Sequence, residues 1–66
     1  MTIIVNGQPK ELLPAETLQT LVGRLANAPE HVIAEVNGTI IDRKAWPVTL
    51  LKDGDKAELV TFVGGG

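Results

Sequence analysis

The chain has 66 residues, no cysteine, one histidine, and six Lys and Arg against eight Asp and Glu, for a formal charge of −2. That length allows one domain, burying roughly 60% of the surface exposed by the unfolded chain and sitting near the lower limit for folding alone. The composition excludes a disulfide framework, cysteine-ligated metal and a thiol nucleophile, and with scattered cations and only Trp46 and Phe62 as aromatics there is no basic footprint or stacking platform for nucleic acid.

In chain order, TIIVNGQPKELL reads as a hairpin. Ile3, Ile4 and Val5 form a first strand, Asn6-Gly7 supplies residues that tolerate positive φ, and Pro9 also marks the turn region. Glu11, Leu12 and Leu13 are expected as a short second strand ended by Pro14. The opening MTIIVNGQPKE has neither a basic region nor a long apolar segment, so it is not read as a signal peptide. No window approaches 18 apolar residues, so no membrane span is expected, and the cytoplasm is the expected location.

Leu18, Leu21, Val22 and Leu25 follow at i, i+3, i+4 and i+7, one apolar stripe on a helix. Thr17 is its expected N-cap. Gly23 sits inside at a cost of up to about 1 kcal/mol relative to Ala, and Asn27 to Pro29 stop the helix. HVIAEVNGTII then reads as strand, Asn37-Gly38 turn, strand, with Val32, Ala34 and Val36 on one face and Ile40 and Ile41 resuming. DRKAWPV is expected as a short helical turn around a buried Trp46, broken by Pro47. Val48 to Leu51 lead into a turn with Gly54 at the bend. KAELVTFV is the last strand, with Ala57, Leu59 and Thr61 on one face and Val60 and Phe62 on the other.

The order β, β, α, β, β, helical turn, β implies an α+β domain with one helix on one face of a small mixed sheet. A single helix cannot cover both faces. If it covers Ile3, Val5 and Leu59, then Ile4, Val60 and Phe62 face solvent or a partner. The alternative is that Phe62 folds back on Trp46 or over a sheet edge.

No familiar active-site constellation is present. His31 is the sole histidine and is expected as a surface or helix-end residue, since one histidine builds neither a metal site nor a serine triad. Asp53-Gly54-Asp55 lacks EF-hand spacing and is read as a turn. Gly64-Gly65-Gly66 is followed by no helix that would aim its amides at phosphate. What remains is the α-carboxylate of Gly66. It becomes reactive once activated, for example as an acyl-adenylate that sulfur, a thiol or an amine then attacks. Glycine suits entry into another protein's active site, because without Cβ it accepts close backbone contacts. Three extended residues project about 10 Å.

With these residues in view, IIVNG at 3–7, ETLQTLV at 16–22, IAEVNGTIIDRKAW at 33–46 and LLKDGDKAELVTFVGGG at 50–66 give a sequence that resembles the sulfur-carrier family of thiamin biosynthesis (ThiS). The resemblance covers essentially the whole chain. It implies a ubiquitin-like β-grasp fold of four to five strands, with residues 1–63 as the domain and 64–66 as a flexible glycine tail. It implies further that an E1-like adenylating enzyme of ThiF type activates Gly66 with ATP. A sulfur donor system then converts Gly66 to a thiocarboxylate, and a thiazole synthase of ThiG type receives the sulfur. The family diglycine maps to Gly65-Gly66, extended by Gly64, and its apolar docking surface maps to Val60, Phe62 and Val63. The carrier would be a co-substrate, not an enzyme, and would bind no cofactor or metal of its own. With nothing after Gly66, no processing protease is expected. A molybdopterin-type or tRNA-thiolation carrier, a ubiquitin-like modifier and a stand-alone interaction module remain as alternatives.

Overall fold

Two Asn-Gly pairs set both hairpins in the computed structural model, which describes residues 1–62. Asn6 and Gly7 have φ of 51° and 81°, and Asn37 and Gly38 have 52° and 86°. Positive φ at both central positions is the requirement of the two-residue type I′ turn, which matches strand twist. The first turn joins β1 (Thr2–Val5) to β2 (Gln8–Glu11), and the second joins β3 (Val32–Val36) to β4 (Thr39–Ile40). The final strand is β5 (Lys56–Thr61). The five strands form one sheet in the order β2-β1-β5-β3-β4. β1 and β5 run parallel and the other neighbours antiparallel, so the sheet is mixed and β5 is its middle strand.

The second strand lies earlier than the expected Glu11–Leu13. A two-residue turn pairs Val5 with Gln8 directly, so the ladder starts at once and takes in Pro9 opposite Ile4. Pro9 therefore belongs to the strand and not to the turn. β2 is an edge strand, where a residue without N–H is tolerated. Leu12 leaves the strand and enters the core, while Leu13 is exposed.

Helix α1 (Leu18–Leu25) carries the expected stripe and cap. Thr20 N–H donates to Thr17 Oγ1 at 3.3 Å and Thr17 N–H donates to Thr20 Oγ1 at 3.0 Å, a reciprocal capping box. Leu18, Leu21 and Val22 are fully buried against Ile3 and Val5 of β1, Val32 and Ala34 of β3, and Ala57 of β5. Leu25 and Leu59 pack at the margin of this core. One face of the sheet is thus covered, as the single helix requires.

Two short 3-10 helices complete the chain, Pro29–His31 and Arg43–Val48. His31 ends the first of them, as expected of a helix-end residue. Trp46 is buried, and its Nε1–H donates to Ile41 O at 3.1 Å. Pro47 does not break the second 3-10 helix. Its flanking bonds run from Ala45 N–H to Asp42 O and from Thr49 N–H to Trp46 O, and neither uses position 47. Helix α1, the longest helix, has only eight residues, and no helix among the described residues is long and apolar enough to cross a membrane.

Candidate functional site

Of the residues singled out from the sequence, Val63, Gly64, Gly65 and Gly66 lie outside the described residues, as does the expected boundary between domain and tail. Val60 and Phe62 are described, and the middle strand leads directly to them. Strand alternation places even-numbered residues of β5 on the face opposite the helix. Ladder register then fixes their neighbours across β3: Val60 stands opposite Ile33, and Glu58 opposite Glu35. One step further, Phe62 N–H donates to His31 O at 2.9 Å, and the two rings lie 5.5 Å apart at 41°.

The open face therefore carries three successive cross-strand rows: aromatic His31–Phe62, aliphatic Ile33–Val60 and acidic Glu35–Glu58. Phe62 is 42% exposed, Ile33 45%, Val60 55% and neighbouring Ile40 65%. Four large apolar side chains left in water on one sheet face make the kind of patch that marks an interaction surface. Phe62 and Trp46 do line one shallow groove of about 490 Å³ together with Ile33 and Ile40. Phe62 nevertheless stacks on His31 and keeps much of its ring exposed. Ile4, expected on this face, is half-buried there.

The side chains of Asp53, Asp55 and Glu16 serve the fold. Asp53 Oδ1 accepts from Thr2 N–H at 2.7 Å. Buried Asp55 accepts from Lys52 N–H at 2.8 Å and from Asn37 Nδ2 at 3.0 Å. Asp53-Gly54-Asp55 is a turn whose carboxylates tie β1 and the second hairpin to the start of β5. Glu16 accepts from Arg24 Nη2 at 2.8 Å, Arg24 Nε at 3.0 Å and Leu13 N–H at 3.1 Å. The hydrogen bonds from Arg24 hold the Glu16 carboxyl below the usual range; burial opposes this and the Leu13 amide adds to it. Among the described residues, no three His, Cys, Asp or Glu gather as a metal would need. The arrangement built by these residues is suited to docking.

Two structural residues escaped the sequence reading. The sequence places Asn6 in the turn for its tolerance of positive φ alone, yet its amide also bonds the backbone of Leu59 in both directions. The only sequence signal is the choice of Asn over Asp, since an amide offers a donor and an acceptor together. Arg43 donates to the carbonyls of Pro29, Glu30 and Val32 at 3.0–3.1 Å. Its guanidinium also sits 4.3 Å over the Trp46 ring. Arg43 and Trp46 at i, i+3 hint at that stack, but nothing in the sequence gives the three carbonyls.

Comparison with known proteins places this geometry. The sequence model of the ThiS family matches residues 3–66. The crystal structure of the thiamine biosynthesis protein ThiS from Geobacter metallireducens superposes with a TM-score of 0.79 at 38% identity, over 100% of both chains. The sulfur carrier protein ThiS of Escherichia coli is 26% identical over 100% of both chains. A thiazole synthase from Magnetococcus marinus is 36% identical over the whole of this chain, which spans 20% of that protein. The five-stranded mixed sheet with one main helix is thus the ubiquitin-like β-grasp fold of the ThiS structures.

Proposed function

The chain belongs to the ThiS family, and from that premise we propose that it is a sulfur carrier in thiamin biosynthesis. The observation that carries this reading is the match to the family model over residues 3–66, which takes in the three glycines. A carboxylate is a poor electrophile, so the Gly66 carboxylate first attacks the α-phosphorus of ATP in a ThiF-type activating enzyme, with pyrophosphate leaving. Sulfide-level sulfur delivered by a donor system then attacks the acyl carbon of the adenylate and AMP leaves, giving the thiocarboxylate without any change of oxidation state. Gly65 and Gly64 give the end the slender backbone that a narrow active-site channel requires. The face bearing Val60 and Phe62 docks the body, with Val63 proposed as a further partner contact.

Thiazole synthase is the proposed acceptor. The similarity to thiazole synthases, of which this chain spans a fifth, supports that acceptor over a molybdopterin-type or tRNA-thiolating one. In this reading the protein is a co-substrate regenerated each cycle, ATP is bound by the activating partner, and the chemistry takes place in the cytoplasm. Deletion of Gly65 and Gly66 tests it. Thiazole formation in a reconstituted system is expected to cease while the melting temperature stays unchanged. Sustained sulfur transfer by the deleted chain would refute the reading and leave a stand-alone interaction module.

A further inference from the structure

The end of the middle strand is held by a relay that starts in the core. Trp46 is buried, and the Arg43 guanidinium lies 4.3 Å over its ring. Arg43 donates in turn to the carbonyls of Pro29, Glu30 and Val32. His31 O is the remaining carbonyl of that segment, and it accepts from Phe62 N–H at 2.9 Å. The β3–β5 ladder ends one pair earlier, at Val32–Thr61. The bond to His31 is therefore the last backbone tie on the chain leaving β5 among the described residues. The His31 ring also packs on Phe62, with centroids 5.5 Å apart. Neither residue belongs to the buried core, and Phe62 stays 42% exposed. The contact thus fixes where the chain leaves the sheet while burying little. Gly66 lies four residues beyond Phe62, and four extended residues reach at most about 14 Å.

We propose that His31 is a positioning residue for the adenylation of Gly66 by a ThiF-type activating enzyme: its carbonyl and ring fix Phe62 as the point from which the last four residues set out. The inference rests on the carrier reading above and adds a residue to it. Carboxylate and α-phosphorus must come within about 3–3.5 Å for attack. With the body docked through Ile33, Val60 and Ile40, the position of Phe62 decides where a reach of that length can end. A fixed Phe62 narrows the volume that the carboxylate explores and raises its effective concentration at ATP. A loose Phe62 leaves the docked body in place and lets the end miss its target. The effect therefore falls on kcat and not on KM. The ring acts through Phe62 and touches neither ATP nor the reacting carboxylate, so another flat aromatic ring serves in its place.

The test is ATP–pyrophosphate exchange by a ThiF-type activating enzyme at varied concentrations of the parent chain, His31→Ala and His31→Phe, with melting curves of all three. His31→Ala is expected to stay folded. Its kcat should fall about tenfold, as for a misplaced reactive group, while KM stays within about twofold of the parental value. His31→Phe is expected to restore the parental kcat. A parental kcat in His31→Ala overturns the inference and leaves the carrier reading standing. So does a raised KM at parental kcat, which would make the ring a docking contact. Loss of the fold in His31→Ala would make the ring a structural support and also overturns it. A His31→Phe chain as slow as His31→Ala overturns it too, since the imidazole itself would then be required. If the parent supports no exchange, the carrier reading falls and the inference with it.

Discussion

Asn6 and Leu59 are joined in both directions, with Leu59 N–H donating to Asn6 Oδ1 at 2.8 Å and Asn6 Nδ2 donating back to Leu59 O at 3.1 Å. The parallel ladder of β1 ends at the Val5–Ala57 pair. The amide of Asn6 then supplies the next two hydrogen bonds, so a side chain extends the support of β5 toward Val60 and Phe62. Replacing Asn6 with Gly keeps the positive φ and removes both bonds. The variant should lose about 1–3 kcal/mol, two hydrogen bonds at their usual net worth, and the Leu59 amide should exchange much faster. Unchanged protection at Leu59 would show that the clamp does not hold the strand.

Acid should weaken the fold through Glu16. Its folded pKa lies below the ordinary glutamate value, chiefly because Arg24 hydrogen-bonds the carboxylate. A depressed carboxylate pKa contributes stability that is fully present above the unfolded value of about 4.3, and is lost as pH falls through the folded value. The Glu16 side chain is 2% exposed and that of Arg24 33%, so solvent screens only one partner. Arg24→Gln should therefore cost about 2 kcal/mol near neutrality, the range for hydrogen bonds to a charged group. It should also flatten the acid limb of melting temperature against pH. Parallel curves for parent and variant would remove Glu16 as a source of that limb.

Gly23 offers a stabilising substitution. It lies within α1, and a Cβ built there meets no atom within 4 Å. Gly23→Ala should gain up to about 1 kcal/mol of helix propensity, raising the melting temperature by about 4–8 °C for a domain of this size. A lower melting temperature would mean that the methyl group meets resistance.

Arg43→Lys is not expected to be conservative. Lysine cannot reach three carbonyls with a planar fork or stack in the same way on Trp46. A loss of about 2 kcal/mol is expected, in line with charged hydrogen bonds. The fluorescence of Trp46, the one tryptophan, should shift as its cover loosens. Unchanged emission and stability would make the guanidinium dispensable.

The helix and both Asn-Gly turns are legible because each rests on local chemistry: Thr17 as cap, Leu18, Leu21 and Val22 as stripe, and Asn-Gly at each tight turn. The open face was legible too, since one helix covers only one side and strand alternation assigns Val60 and Phe62 to the other. The position of β2 is not legible, because Pro9 suggests a turn until its strand is known to be an edge, which is a tertiary fact. The row of Glu35 and Glu58 could not be seen either. Twenty-three positions separate them, and only the β3–β5 register brings them face to face. The same holds for the reach of Asn6 to Leu59 and of Arg43 to Pro29, Glu30 and Val32.

The central proposal is thiolation of Gly66, and intact-mass spectrometry of the chain measures it directly. The protein is incubated with ATP, a ThiF-type activating enzyme and a sulfur source, and then weighed. A mass gain equal to the replacement of one oxygen by one sulfur, mapped to the peptide ending in Gly66, is the expected result. An unchanged mass, in a mixture where the same enzyme thiolates its own cognate carrier, would contradict it.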